Sequence, residues 1–316
     1  MRAAAILGLG CSLNQLKSFQ ADHPLVEKIE WQIGMPASHD QADVILVFGG
    51  DGTVHRHLGQ LVRLSLPVLV VPAGSGNDFA RALGLRRVGD ALAAWQKFAS
   101  GAGNVRTIDL GTISSRDETS GPPITRYFCC VAGVGLDGEV SRRASQLPRW
   151  LRGHGGYALS LVPTIFNFAP KPIKILTRDE FSGERTAELR SAGRPGAAVP
   201  TCTDWTTRSD QPTLLAAFAN TPAYGGGMRI APQAKMDDGL LDICVVGEVD
   251  PFKLFCMFPS VYYGRHLKVR EVEYLQAERV RVETEHPLDV YADGEYVCRT
   301  PIEVAVQASA LKLVTP

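Results

Sequence analysis

The sequence lacks an excess of charge of either sign. Its 316 residues include 33 Lys and Arg against 33 Asp and Glu, so the formal net charge is zero. Proteins whose main partner is DNA or RNA usually carry a basic surface large enough to shift this balance. Nucleic acid is therefore not expected to be the partner of this chain.

Cysteine patterns typical of metal sites or disulfide scaffolds are also missing. The seven cysteines are an odd number, and apart from the adjacent Cys129 and Cys130 their spacing is irregular. Zinc sites and disulfide frameworks need regularly paired cysteines. We therefore expect reduced, buried thiols and a cytoplasmic protein.

Long hydrophobic runs are absent as well. No stretch reaches the roughly 18 to 20 apolar residues that a membrane-spanning helix needs. The apolar run at residues 3–9 leads into Gly and polar residues, which predicts a buried strand and not a signal peptide. If the chain acts on a membrane lipid, it must do so as a protein peripheral to the membrane.

Apolar residues, by contrast, are present in ordinary globular proportion, at 45%. A chain of this length exceeds the size at which one core keeps growing, so two domains are expected. Continuous apolar runs at 3–9, 43–48 and 66–71 predict strands of a parallel sheet that is covered on both faces. The helical period of residues 53–64, between the last two runs, completes a βαβ unit.

The pattern changes after the glycine-rich stretch at 101–103. Segments with alternating apolar residues follow, as in antiparallel strands, at 127–132, 173–177, 214–219, 241–246, 279–283 and 302–306. We predict an α/β domain over residues 1–106 and a mostly antiparallel, β-sandwich-like domain over residues 107–307. The strand-like end of the chain, about 308–316, is expected to return to the first domain.

Two glycine-rich loops follow consecutive strands of the predicted parallel sheet. GGDGT at residues 49–53 precedes a helix, and PAGSGNDF at residues 72–79 has the same position one strand later. Backbone N–H groups at a helix N-terminus favour anions, and glycine lets the backbone approach a phosphate closely. Because loops at successive strand ends face one crevice, the pair predicts phosphate binding. GGDG alone would also be an ordinary tight turn.

Several polar side chains in these loops are each compatible with more than one role. Asp51 either orients its loop by bonding backbone N–H groups, or carries Mg²⁺ and helps to position an attacking hydroxyl. Ser75 can bond a phosphate or a ribose through its hydroxyl. Asn77 or Asp78 can cap the helix that follows. The residues do not decide between these roles.

Several motifs together resemble a known family. GGDGT followed about twenty residues later by PAGSGNDFARALG is similar to the nucleotide-binding half of the diacylglycerol kinase catalytic-domain superfamily, which includes bacterial lipid kinases and sphingosine kinases. VAGVGLDGEV at 131–140, FANTPAYGGGMRIAPQAKMDDGLLDICVV at 218–246 and ADGE at 292–295 also resemble it, in the same order. The resemblance implies an α/β nucleotide-binding domain, a β-rich lipid-substrate domain, and a cleft in which ATP and the lipid headgroup meet.

The resemblance also implies roles for single residues. The residues expected to bind ATP are Gly49, Gly50, Asp51, Gly52, Thr53, Gly74, Ser75 and Asn77. Mg²⁺ would be held by the carboxylate of Asp238 with the main-chain carbonyls of Lys235 and Leu240, since oxygen ligands suit this ion. An Asp-Gly pair is also common hairpin chemistry, so an ordinary turn is the alternative there.

A second acidic turn is expected to supply the base. By resemblance Glu295 accepts the proton of the attacking hydroxyl, and Asp293 shares or assists that role. Phosphoryl transfer depends mainly on alignment and charge neutralisation, so a carboxylate is a sufficient base. Here too, an ordinary Asp-Gly hairpin is the alternative.

Together these features predict an ATP- and Mg²⁺-dependent kinase that phosphorylates a hydroxyl of diacylglycerol, a sphingoid base or a related lipid. The apolar segment 157–168 is a candidate wall for an acyl-chain trough. Two other functions stay open: an NAD kinase, which shares GGDGT, and a non-catalytic nucleotide- or lipid-binding regulator. The sequence also leaves open whether two chains form a homodimer.

Overall fold

A parallel sheet forms the N-terminal part of the computed structural model, which describes residues 1–20, 29–115, 125–146, 154–178 and 205–316. Its strands, in spatial order, are β2 (Glu30–Ile33), β1 (Arg2–Leu7), β3 (Val44–Gly49) and β4 (Val68–Pro72). The strands β3 and β4 are buried along their whole length, as expected where both faces of a sheet are covered. The predicted α/β part is confirmed.

Helices alternate with these strands. They are α1 (Leu13–Gln20), α2 (Asp51–Leu64), α3 (Asp78–Ala82) and α4 (Val88–Ala99). The α2 helix buries Val54, Leu58, Leu61 and Leu64, one face of a 3.6-residue period. It begins directly at the first glycine-rich loop, so the order strand, loop, helix matches the prediction.

Antiparallel strands build the second part of the fold. They are β5 (Val105–Ser115), β6 (Thr125–Phe128), β7 (Val131–Gly135), β8 (Lys171–Arg178), β9 (Thr206–Ala219), β10 (Leu241–Gly247), β11 (Val272–Ala277), β12 (Arg279–Thr284), β13 (Asp289–Ala292), β14 (Glu295–Arg299) and β15 (Ile302–Val314). Their shared interior holds Phe128, Phe218, Val280 and Ile302, all fully buried. The predicted β-sandwich-like part is confirmed.

The strand β15 connects the two parts. It pairs antiparallel with β5 along most of its length and with β12 over its first four residues, and Leu313 pairs in parallel with Val68 of β4. The pairing with β5 is interrupted between Gln307 and Leu311, where Ser309 has a positive φ of 52°. The domain limits predicted from the sequence stay a prediction, because one sheet runs through both parts.

The sequence segment 127–132, expected to form one strand, is split in the structure. The strand β6 ends at Phe128, a bend follows at Cys129 and Cys130, and β7 starts at Val131. The carboxylate of Asp293 accepts hydrogen bonds from the N–H groups of Cys129 (2.9 Å) and Cys130 (2.8 Å). The side chain of a residue far along the chain thus replaces the hydrogen bonds between strands at this point. No local sequence pattern indicates this replacement.

Helices also occur in the second part, in segments that lie between the strands expected from the sequence. They are α5 (Leu136–Gln146), α6 (His154–Asn167) and α7 (Pro251–Met257), followed by 3₁₀ turns at Phe258–Tyr263 and Arg265–Lys268. The side chain of Asp250 caps α7, because its Oδ1 accepts the N–H groups of Phe252 and Lys253, both at 3.0 Å. None of the helices within the described ranges is long and apolar enough to cross a membrane.

Candidate active site

The two glycine-rich loops touch each other backbone to backbone. A β-carbon placed on Gly74 would lie 2.5 Å from the Cα of Gly50, a distance that no side chain tolerates. The N–H of Ala73 also donates to the carbonyl of Gly49 (3.0 Å). The strand ends of β3 and β4 therefore present one continuous, glycine-lined surface, as the sequence predicted.

The carboxylate of Asp51 joins the loops through hydrogen bonds. Its Oδ2 accepts the N–H of Asp78 and its Oδ1 the N–H of Phe79, both at 3.0 Å, so it caps α3 from the neighbouring loop. Of the two roles open for Asp51, orientation of the loop is therefore observed. Each oxygen keeps a further lone pair that can face a cation.

The pKa of Asp51 is raised above its ordinary value. Burial is the main cause, and the nearby carboxylates of Asp78 and Asp293 add to it, although the two backbone hydrogen bonds lower the pKa. The three carboxylates therefore repel one another electrostatically, and a cation bound near Asp51 would reduce this repulsion.

Asn77 and Asp78 stabilise the loop geometry in different ways. Asn77, at a positive φ of 54°, accepts the N–H of Gly74 (2.8 Å) and donates to its carbonyl (2.7 Å), which closes the second loop. Asp78 accepts the N–H of Gly226 (2.7 Å) in the second part of the fold. Sequence reasoning gave Asp78 only a helix-capping role, because a partner so distant in sequence leaves no local signal.

An open crevice lies between the loops and the second part. On one side it is lined by Gly50, Asp51, Gly52, Thr53, Arg56, Gly74 and Ser75. On the other side it is lined by Cys130, Val131, Tyr224, Gly225, Gly226, Asp293, Gly294 and Glu295. Arg56 is exposed there; the sequence analysis did not single it out, although its place one turn after GGDGT could have indicated it.

Glu295 lies directly over the first loop. It follows the turn between β13 and β14, in which Asp293 and Gly294 both have positive φ, 52° and 83°, the conformation of a type I′ hairpin turn. A β-carbon placed on Gly52 would be 3.0 Å from Oε1 of Glu295. The structure therefore brings the predicted base to the predicted phosphate loop, and a side chain at position 52 would displace it.

Asp293 has different surroundings from Glu295, although the two are neighbours. Its side chain is fully buried, and it accepts hydrogen bonds from two backbone N–H groups at the bend before β7 and from Nδ1 of His55 (3.0 Å). The hydrogen bonds with His55 and with the bend hold the hairpin against α2. Asp293 is thus held in place by these partners, while Glu295 is exposed in the crevice, and the catalytic role expected of each stays a prediction.

The pKa of His55 reflects this contact. Burial acts to lower the pKa of His55, but the hydrogen bond and the charge of Asp293, with Glu295 adding, outweigh burial, so the pKa is raised. His55 lies one helical turn after Asp51 on α2. Its hydrogen bond with Asp293 connects α2 to the hairpin that carries Glu295. The sequence gave no signal for this pairing, since the partners are 238 residues apart.

The predicted metal turn lies outside the crevice. Oδ1 of Asp238 accepts the N–H of Leu240 (3.2 Å), and Asp109 of β5 accepts the N–H of Gly239 (2.9 Å). Lys235, Asp238 and Leu240 are not among the residues that line the crevice. One carboxylate and the carbonyls of a tight turn form an oxygen donor set that suits Mg²⁺, and the metal role of this turn stays a prediction.

An apolar cavity adjoins the crevice. It lies under α5, α6 and α7, and its lining includes Val140, Leu161, Ile165, Leu214, Val246, Leu254, Met257 and Val261. Asp137 and Tyr224 line both spaces, and the hydroxyl of Tyr224 donates to Oδ1 of Asp137 (2.8 Å). Leu161 and Ile165 belong to the segment predicted as an acyl-chain wall; side chains 157–160 lie outside the described part.

Known proteins show the same organisation along their sequences. A family model described as the diacylglycerol kinase catalytic domain matches residues 23–113, and one described as the YegS C-terminal NAD kinase β-sandwich-like domain matches residues 130–315. A diacylglycerol kinase of Mycobacterium tuberculosis is 32% identical over 274 residues, 87% of this chain and 77% of that protein. A diacylglycerol kinase of Bacillus subtilis is 25% identical over 257 residues, 80% of this chain and 71% of that protein.

Solved structures agree on the fold. A diacylglycerol kinase from Bacillus anthracis str. Sterne superimposes with a TM-score of 0.63 at 18% identity, and the match covers 100% of this chain and 97% of that one. At that identity the likeness concerns the fold alone. The second family model, however, spans more than half of the present sequence. The chain therefore belongs to the diacylglycerol kinase family of lipid kinases and is a kinase.

Proposed function

We propose that this kinase transfers the γ-phosphoryl group of ATP, in the presence of Mg²⁺, to the free hydroxyl of diacylglycerol. The proposal rests mainly on the position of Glu295. Its Oε1 lies beside Gly52 of the first glycine-rich loop, in a crevice that adjoins an apolar cavity. A candidate base and a candidate phosphate-binding surface thus share one crevice, and an apolar cavity adjoins it.

The glycine-rich loops would hold the phosphates. Backbone N–H groups at the start of α2 supply donors without partners in the helix, Ser75 supplies a hydroxyl, and Arg56 supplies a positive charge at the crevice wall. Mg²⁺, near Asp51, would neutralise charge on the phosphate oxygens. The turn of Lys235, Asp238 and Leu240 would hold a second ion that stabilises the fold.

Glu295 would accept the proton of the lipid hydroxyl. As the hydroxyl oxygen forms its bond to the γ-phosphorus, the bond between that phosphorus and the β,γ-bridging oxygen of ATP breaks, which leaves ADP and a phosphorylated lipid. Asp293 does not take part in this transfer, because its oxygens accept hydrogen bonds from the backbone and from His55. Asp293 would instead hold the hairpin so that Glu295 stays in position beside Gly52.

The acyl chains would occupy the apolar cavity, and the glycerol would lie at the Asp137–Tyr224 pair, where the cavity adjoins the crevice. The presence of an apolar cavity beside a polar crevice favours a lipid over NAD as the substrate. NAD is polar along its length and would gain nothing from a cavity walled by Leu, Ile, Val and Met side chains. The same argument disfavours a regulator that binds a nucleotide alone.

The test is a phosphorylation assay with the purified chain, labelled ATP and MgCl₂. Dioctanoylglycerol, sphingosine and NAD are offered separately, and a parallel sample contains EDTA. We expect label on dioctanoylglycerol, none with EDTA, and a loss of labelling in Glu295→Gln. Label on NAD alone, or equal labelling by wild type and Glu295→Gln, would refute the proposal.

A further inference from the structure

The elements around the apolar cavity are also apolar on their opposite side. Within the described ranges twelve large apolar side chains are exposed, and six of them lie on α6, α7 and the 3₁₀ turn after α7. These six residues, called the outer face below, are Val162, Phe166, Phe252, Phe255, Tyr262 and Tyr263. Half of the large apolar side chains that are exposed within these ranges are thus concentrated in three elements beside the apolar cavity.

The residues of the outer face belong to the same elements that line the cavity. They lie on the sides of these elements that are exposed to solvent. On α6, Leu161 and Ile165 line the cavity, whereas Val162 and Phe166 are 43% and 51% exposed. On α7, Leu254 lines the cavity, whereas Phe252 is 68% exposed. A surface helix normally has a polar outer side, and a helix that is apolar all round is buried in protein or lipid.

The outer face is continuous from one element to the next. The rings of Phe166 and Phe255 are in contact, with centroids 6.0 Å apart, and they join α6 to α7. Tyr263, 74% exposed, ends the 3₁₀ turn that begins where α7 ends. Aromatic side chains of this kind are favoured at the interface between water and a lipid bilayer.

Positive charge predominates in the stretch around the outer face, which one Asp and one Glu flank. Residues 251–270 contain four Lys and Arg but no Asp or Glu, in a chain whose net charge is zero. Lys253 pairs with Glu271 (2.7 Å). Arg265, Lys268 and Arg270 are exposed and form no ion pair with any residue that the structure describes. A basic rim beside exposed aromatic side chains complements an anionic lipid surface.

We propose that the outer face binds the surface of an anionic lipid bilayer, so that a lipid can pass from the bilayer into the cavity behind it. The proposal deepens the proposed function and rests on it for the identity of the lipid that enters. A second copy of this chain is a poorer occupant, because a symmetric contact would bring the same basic residues of both copies together.

Binding to vesicles tests the proposal directly. Wild type, the double variant Phe252→Ser/Tyr263→Ser and the control Leu13→Ser are sedimented with phosphatidylcholine vesicles that contain phosphatidylglycerol. Leu13 is 57% exposed but belongs to α1, far from the outer face in the sequence. We expect the double variant to bind roughly tenfold more weakly and the control to bind like wild type.

Charge is tested separately. Arg265→Gln/Lys268→Gln should weaken binding to vesicles with phosphatidylglycerol and leave the weaker binding to pure phosphatidylcholine unchanged. Added salt should have the same effect on the wild type, because surface charge is screened. Thermal melting of each variant should match that of the wild type, since the altered side chains are exposed.

Three outcomes would overturn the proposal: no vesicle binding by the wild type, equal binding by wild type and the Phe252/Tyr263 variant, or a wild-type dimer in analytical ultracentrifugation that this variant loses. Activity separates this proposal from the proposed function. The variant should phosphorylate monomeric dioctanoylglycerol like the wild type, but long-chain diacylglycerol in vesicles more slowly. Vesicle binding through this face without any lipid phosphorylation would refute the proposed function and leave the bilayer contact standing.

Discussion

The turn at Asp293-Gly294 and the turn at Asp238-Gly239 have the same local chemistry but different surroundings. In the first, the aspartate is buried and a free glutamate, Glu295, follows it at the crevice. In the second, Asp238 bonds the backbone of its own turn, and no residue of the turn lines the crevice. The Asp-Gly pair specifies a tight turn, and the residues packed against that turn decide what its carboxylates can do.

The largest effect is expected at the first turn, for Glu295→Gln. Removal of the base should lower kcat by about 10²- to 10⁴-fold, with little change in stability because the side chain is exposed. Steady-state phosphorylation of dioctanoylglycerol and urea unfolding measure the two effects. A variant that keeps full kcat would place the base elsewhere.

Asp293→Asn should affect stability as well as activity. The amide oxygen of Asn can replace one carboxylate oxygen as an acceptor. Its NH₂ group, however, would face the N–H donors of the bend or of His55. We expect this mismatch to lower the free energy of unfolding by about 2–4 kcal/mol. Urea unfolding monitored by fluorescence gives this value, and Glu295→Gln is the matched control in the same hairpin. Equal stability of the two variants would contradict the different roles assigned to the two carboxylates.

The second turn is tested by its response to Mg²⁺. If Asp238 holds an ion that stabilises the fold, MgCl₂ should raise the Tm of the wild type. The free energy of unfolding should increase by about 2.7 kcal/mol at a hundredfold excess of Mg²⁺ over its Kd. Asp238→Asn should lose this increase, whereas Glu295→Gln should keep it. The same Mg²⁺ response in wild type and Asp238→Asn would leave this turn an ordinary hairpin.

The smallest effect concerns His55, which holds the first turn from α2. Because the pKa of His55 is raised in the folded state, the stability it contributes is complete below its unfolded pKa of about 6.5 and is lost as pH rises through the folded pKa. His55→Gln keeps a donor but cannot be protonated. The difference in unfolding free energy between wild type and His55→Gln should be larger near pH 6 than near pH 9; a constant difference would mean that the charge contributes nothing.

The sequence predicted those parts of the fold that depend on local pattern. The runs that became β3 and β4 are apolar throughout, so these strands and the glycine-rich loops that follow them were predictable. That these loops bind phosphate stays a prediction. The place of Glu295 beside Gly52 followed from the family resemblance and not from spacing.

Contacts between distant segments were not predictable in the same way. Asp78 bonds Gly226, and His55 bonds Asp293; neither pairing leaves a periodic signal. The helix α6 contains Pro163, which argues against a helix interior when the sequence is read alone. Its position over the cavity is set by packing against α5 and α7.

The strand β15 has a further consequence for motion. Its backbone is hydrogen-bonded to β5 and β12 in one half of the molecule and joins β4 of the other half at Leu313. A wide hinge opening would break the pairing of Leu313 with Val68. We therefore expect the two parts to unfold together, and calorimetry should record a single cooperative heat-absorption peak in place of two.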